Sequence, residues 1–192
     1  MEARDGRWEE VHWRWQARPR DALAAARAWL SALAGAQAAA GLHRDVRGRP
    51  RLAPGAGDIG WSHTGDGLLL AWTPHGQIGV DAEHADRHAD ALRIARRYFR
   101  TEECAQLAAL APGPRRAHFL RLWCAKEAVL KAHGHGLAFG LHRLTVAAGG
   151  DAPRLLACDP ALGDAAGWRL HLLAPDPAHV AVIARHDGIL AP

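Results

Sequence analysis

Apolar and polar positions change period several times along the 192-residue chain, and each change marks an expected element. Residues 8–15 alternate roughly as a strand and predict one, which holds three of the eight tryptophans. Asp21 is a candidate N-cap for an alanine-rich helix over 22–40, stopped by Gly41. Glycine, proline and arginine dominate 46–60 and predict loop. Short apolar strands are expected at 68–72 and 78–83, joined by a Thr-Pro-His-Gly turn. Helical periodicity runs over 88–99 and 101–110, breaks at Ala-Pro-Gly-Pro, and resumes in a long helix over 115–133. Beyond Gly134 the pattern is strand-like at 141–147, 154–158, 168–173 and 179–184. This order predicts an α+β fold of two similar halves, 1–76 and 77–192, integrated as one unit.

The composition, 49% hydrophobic and 23% charged, excludes a disordered or fibrous chain. No apolar run nears the roughly 18 residues of a membrane helix and no charged-then-apolar leader opens the chain. A cytoplasmic protein with no membrane partner is therefore expected. Cys104, Cys124 and Cys158 are too few and too widely spaced for a disulfide framework or a paired-cysteine metal knuckle. The formal charge of +4 points weakly to acidic partners. No cluster of aromatics on a basic sheet and no nucleic-acid motif is recognised, so nucleic acid is not an expected partner. Of 24 basic residues only Lys126 and Lys131 are lysine, and asparagine is absent. Such a bias fits a GC-rich coding sequence that turns Lys into Arg. Two lysines kept close together are then candidates for chemistry that needs an ammonium.

Two places combine carboxylates with apolar patterning. On a strand, Asp81 and Glu83 face one way and Ile78, Val80 and Ala82 the other. The carboxylates then start about 7 Å apart at Cα. They form either a solvated acidic edge or two oxygen ligands of one hard cation such as Mg²⁺. On the long helix, with Phe119 at zero, Glu127 falls at about 80°, between Trp123 at about 40° and Leu120 at about 100°. A carboxylate inside an apolar stripe needs a cation or a proton. Either Glu127 forms an ordinary i,i+4 pair with Lys131, or it faces Asp81 and Glu83 and completes a three-carboxylate metal site. His84 and His88 share a helical zinc spacing but lack a third ligand, and read as surface. His133 and His135 suit a helix C-terminus. Arg93, Arg96, Arg97 and Arg100 form a basic run.

Gly79-Val-Asp81-Ala-Glu83, followed some forty residues on by Trp123-Cys-Ala-Lys126-Glu127-Ala-Val-Leu-Lys131, resembles the signature pair of 4′-phosphopantetheinyl transferases, G-I/V-D-x-E and W-x-x-K-E-A/S-x-x-K. Gly48-Arg-Pro50 resembles the family's G-K-P loop, and Trp61-Ser-His63-Thr its S-H-S segment. Ala95-Arg-Arg-Tyr-Phe99 resembles A-x-R-F-F, and Gly134-His-Gly-Leu137 the G-x-G-L after the helix. The likeness spans residues 20–146, and the length is similar to that of the larger, pseudo-dimeric Sfp-like type.

The resemblance implies an enzyme that moves 4′-phosphopantetheine from coenzyme A to a serine of an apo acyl or peptidyl carrier protein, leaving holo-carrier and 3′,5′-ADP. It implies Mg²⁺ held by Asp81, Glu83 and Glu127, with Glu127 also taking the serine proton and Lys131 contacting the coenzyme A phosphates. Arg49, Ser62 and His63 would hold the nucleotide end, and Arg20 is a looser match to a 3′-phosphate arginine. An acidic carrier, docked in part on the basic run, and a monomeric state are expected. The chain departs from the pattern at Arg49, where lysine is usual, at Cys124, where a small buried residue is expected, and at Arg100-Thr-Glu-Glu103, where Thr101 is expected to cap a helix one residue late.

Overall fold

The first alternating segment folds back on itself instead of forming one strand. In the computed structural model, which describes residues 2–87 and 89–188, β1 (Arg4–Trp8) and β2 (Val11–Ala17) pair antiparallel, with Trp8 opposite Val11. The two-residue turn puts Glu9 at φ 51°, the left-handed backbone that such hairpins need. No Asn-Gly or Asp-Gly pair marks that turn; its trace in the sequence is a change of phase, from Trp8 to Val11, Trp13 and Trp15. The helix expected over 22–40 is also two pieces. Asp21 caps α1 (Ala22–Ala34) by accepting the Ala24 N–H at 3.0 Å, but Gly35, at φ 93°, breaks the chain before α2 (Ala36–Ala40).

The stretch expected to be loop holds β4 (Pro50–Arg51), which pairs with β3 (His43–Arg44) just before it, and the start of β5 (Asp58–Thr64). β5 pairs with β6 (Gly67–Thr73) over its whole length, and β7 (Gln77–His84) follows. Three helices come next: α3 (Ala91–Tyr98), α4 (Thr101–Ala109) and α5 (Pro112–His133). Pro112 and Pro114 open α5 rather than precede it, because the first turn of a helix has no use for their missing N–H groups. Arg100, not Thr101, is the N-cap of α4, and its backbone N–H donates to Glu103 at 3.1 Å. The chain ends in β8 (Leu144–Ala147), β9 (Arg154–Cys158), β10 (Trp168–Leu173) and β11 (His179–His186).

The fold is α+β. Its main sheets are β1-β2-β6-β5 and β10-β11-β7, both antiparallel. Alternation along the strands sorts the side chains into three cores. Leu68 and Leu70 of β6 pack under Trp29 and Leu30 of α1. Leu69 and Ala71, on the opposite face, meet Ile78, Val80 and Ala82 of β7 and Ile183 of β11, so the two sheets share a core. Val182 and Ala184 point to the far side, where Ala125, Ala128 and Val129 of α5 cover them. No helix among the described residues is long and apolar enough to cross a membrane.

Lys126 is fully buried, and its ammonium meets Glu103 at 2.8 Å and the carbonyls of Leu141 and Leu144 at 3.0 and 2.6 Å. Glu103 also accepts the Val146 N–H at 3.0 Å. One of the two retained lysines thus ties α4, α5 and β8 together from inside the core. Burial pulls its pKa down, against the pull of Glu103.

Candidate active site

The site lies where β5, β7 and the last turns of α5 meet. Gly79 makes the meeting possible: a Cβ there would lie 2.1 Å from the Ala128 carbonyl and 2.4 Å from the Ala132 nitrogen. With no side chain in the way, α5 rests directly on the strand, and the next two positions on that face, Asp81 and Glu83, come under the helix residues Glu127 and Lys131.

Asp81 is buried. Its Oδ1 accepts from Lys131 Nζ at 2.5 Å and from Ser62 Oγ at 3.0 Å, and Lys131 also donates to Ser62 at 3.1 Å. Of the two alternatives open for Glu127, the i,i+4 pair with Lys131 gives way to this pair across the helix–strand boundary. Asp81 Oδ2 is buried without a hydrogen-bond partner among the described residues. Glu83 pairs with Arg87, whose guanidinium lies 5.5 Å from the centre of the Trp123 ring. Glu127 is 6% exposed.

The electrostatics follow from this crowding. Burial, then the Asp81 charge, lifts Glu127 to about 7, although Lys131 pulls the other way. Burial, then Asp81, also raises Glu83, with Arg87, Lys131 and a hydrogen bond from Trp123 opposing. Burial works against the Lys131 ammonium, but the charge and hydrogen bond of Asp81 outweigh it and the pKa rises. Burial drives the Cys124 thiol well above its usual range, so it stays protonated and inert, as expected of a small core residue.

Among the described residues no three His, Cys, Asp or Glu side chains stand in a ready-made metal-binding arrangement. The donor chemistry nevertheless fits a hard divalent cation. Three carboxylates lie near enough to act on one another, burial and then the Asp81 charge destabilise Glu83 and Glu127 as anions, and one buried oxygen of Asp81 has no hydrogen-bond partner among the described residues. The ammonium and guanidinium that hold Asp81 and Glu83 are on long, partly exposed side chains.

A cavity of about 340 Å³ opens beside these groups, and Asp81, Glu83, Lys131, Ser62 and His63 line it together with Trp61, Arg44 and Arg47. Arg44 lies 4.9 Å from the centre of the Trp61 ring. Burial, followed by the charges of Arg18, Lys131 and Arg44, lowers the His63 pKa. The structure thus brings Asp81, Glu83, Lys131, Ser62 and His63 to one cavity, with Glu127 coupled to them electrostatically. Arg20 is exposed and does not line it. Arg49 does line it, but its guanidinium is buried in contacts with Asp58 and backbone carbonyls. Arg44, Arg47, Asp58 and Arg87 were not singled out from the sequence. For the first two the signal was present, a cluster of arginines in a glycine-containing loop.

The histidine pairs hold no such position. His133 and His135 stack with centroids 4.3 Å apart at the end of α5, and His84 meets His179 edge-on at 4.9 Å, while His88 lies outside the described residues.

Residues 77–183 match the 4′-phosphopantetheinyl transferase superfamily. The chain is similar to the 4′-phosphopantetheinyl transferase HetI of Nostoc, with 33% identity over 144 residues, 73% of this chain and 58% of that protein. It is 35% identical over 101 residues to a putative 4′-phosphopantetheinyl transferase of Synechocystis, covering 51% of this chain and 41% of the relative. The 4′-phosphopantetheinyl transferase AcpT of Escherichia coli K12 is 32% identical over 89 residues, 46% of each chain. The alignments therefore span about two fifths to three fifths of these relatives.

Proposed function

Because the chain belongs to the 4′-phosphopantetheinyl transferase superfamily, we propose that it transfers the 4′-phosphopantetheine of coenzyme A to a serine of an apo acyl or peptidyl carrier protein. The observation that carries this reading is the group Asp81, Glu83 and Glu127 with Lys131, set beside an arginine-rimmed cavity. Serine oxygen bonds to the phosphorus on the pantetheine side of the pyrophosphate, the bond from that phosphorus to the bridging oxygen breaks, and 3′,5′-ADP leaves with the electron pair. Asp81, Glu83 and Glu127 are the residues that would hold Mg²⁺, which when bound supplies positive charge to the pyrophosphate.

Glu127, which burial and Asp81 lift to about 7 before any metal binds, is the carboxylate that would take the serine proton. Lys131, fixed by Asp81 and Ser62, presents its ammonium to the cavity as a point charge for a phosphate oxygen. Burial, then the charges of Arg18, Lys131 and Arg44, favours the neutral His63 ring, which keeps one N–H to donate toward the cavity. The halves 1–76 and 77–192 are the functional units of this Sfp-like reading. In support, the chain passes from one main sheet to the other between β6 and β7, at that boundary.

The test is intact-mass spectrometry of an apo-carrier protein incubated with this protein, coenzyme A and Mg²⁺. A mass gain of one phosphopantetheine that needs both the metal and Glu127, and is lost in Glu127→Gln, is the expected result. Coenzyme A binding without any gain on fatty-acid, polyketide and peptide carriers would replace transfer with binding alone.

A further inference from the structure

Arg49 is 6% exposed and lies where β4, β5, β7 and α5 meet. Its Nε–H donates to the Lys131 carbonyl at 3.0 Å. Nη1 donates to Asp58 Oδ1 at 3.2 Å and to the Pro50 carbonyl at 3.4 Å. Nη2 donates to Asp58 Oδ2 at 2.5 Å and to the Ile78 carbonyl at 3.3 Å. A guanidinium has five N–H donors, and these contacts occupy all of them. Asp58 Oδ2 in turn accepts the Ile78 N–H at 2.8 Å.

The Lys131 carbonyl belongs to the last turn of α5, where carbonyls have no partner farther along the helix. Gly134, at φ 95°, ends that helix, so the group that meets this carbonyl comes from another element. A cation there also complements the negative end of the helix. One planar group thus holds the end of α5 and, directly and through Asp58, the start of β7. α5 carries Glu127 and Lys131; β7 carries Asp81 and Glu83.

We propose that Arg49, with Asp58, is a positioning residue that sets α5 against β7, and with them the spacing of the carboxylates and Lys131, and that it does not contact the ligand. This departs from the phosphate contact that the resemblance implies at the same position. A lysine, with its donors on one atom, cannot span Asp58, Ile78 and Lys131 together. The exposed arginines on the same cavity, Arg44 and Arg47, are the ones available to a phosphate.

The first arm of the test uses the full chain without ligand. Amide hydrogen exchange is compared in Arg49→Lys, Asp58→Asn and Arg47→Ala. Exchange about tenfold faster or more, confined to the end of α5 and the start of β7, is expected in the first two and not in the third. The second arm rests on the proposed transfer activity. There Arg49→Lys and Asp58→Asn should each lower kcat by up to about 100-fold with little change in the KM for coenzyme A. Both should keep the preference for coenzyme A over its analogue without the 3′-phosphate. Should Asp58→Asn fail to fold, Arg49→Lys, which keeps the charge, carries the comparison. Unchanged exchange in Arg49→Lys, or loss of the 3′-phosphate preference in Arg49→Lys but not in Asp58→Asn, would overturn the proposal. If the unaltered protein neither binds coenzyme A nor loads a carrier, the transfer reading fails by itself, and the exchange arm still decides the role of Arg49.

Discussion

Lys131 pairs with Asp81, fifty residues away in sequence and 2.5 Å away in space, instead of with Glu127 one helical turn before it. That choice leaves Glu127 buried, with no salt bridge among the described residues, and puts the ammonium on the cavity wall. Removing the charge with Lys131→Ala should slow carrier loading by about 100-fold, the usual cost of losing one preorganised group aimed at developing charge. Lys131→Arg should recover little, because the niche between Asp81 and Ser62 fits a compact point charge. Single-turnover loading followed by mass spectrometry reads both; near-normal rates in Lys131→Ala would remove it from the mechanism.

Glu127 makes stability depend on pH with a definite sign. Its carboxyl titrates near 7 in the folded protein, against 4.5 as its ordinary value. Between those values the folded chain holds a proton that the unfolded chain releases, so raising the pH through this window costs stability, and above about 7 the loss is complete. The ceiling is about 3 kcal/mol. In the presence of a chelator, Glu127→Gln should therefore melt several degrees above the unaltered protein at pH 8 and close to it at pH 5. Mg²⁺ should raise the melting temperature of the unaltered protein at pH 8 more than that of the variant. Thermal melts that show no such crossover would contradict the environment described for Glu127.

The buried Lys126–Glu103 pair predicts a loss of fold before any loss of chemistry. Lys126→Met strands Glu103, 2% exposed, without its cation, and should cost about 3–5 kcal/mol in urea unfolding. Glu103→Gln added to Lys126→Met should return part of that, since the glutamine oxygen can still accept the Val146 N–H. If the single variant unfolds like the unaltered protein, the pair is not what joins α4, α5 and β8.

The strands at 154–158 and 168–173 were legible residue for residue, because proline, aspartate and glycine bound both and Trp168, Leu170 and Leu172 alternate with Arg169 and His171 in the second. The hairpin of β1 and β2 was not, because Glu9 takes a left-handed turn without glycine. β5 was missed because Gly60 and the polar residues Asp58 and Ser62 sit on the face turned to β7, where no apolar pattern shows. In the site, the alternation of Asp81 with Glu83 and the place of Glu127 in an apolar stripe follow from strand and helix periodicity alone. What periodicity cannot supply is partners across elements. Lysines 126 and 131 look alike in sequence, yet one turns into the core and the other to the cavity. The duty of Arg49 depends on Asp58, Ile78 and Lys131 arriving from three separate elements.

The basic run on α3 yields the last prediction. Arg93, Arg96 and Arg97 are exposed, and none of them forms a salt bridge with an acidic side chain among the described residues. Arg97 lies 5.2 Å from the centre of the ring of the half-exposed Tyr98, which gives this face an apolar element as well as charge. A surface of uncompensated cations attracts an acidic partner at long range and affects encounter more than chemistry. Reversing two charges, Arg96→Glu with Arg97→Glu, should raise the KM for an acidic carrier protein at least about tenfold at low salt and leave the KM for coenzyme A as it was. The difference should shrink in about 0.5 M salt, where charges a few ångströms apart are already screened. Steady-state kinetics with carrier and coenzyme A varied in turn separate the two constants. Equal carrier constants for variant and unaltered protein at low salt would take the docking role away from α3.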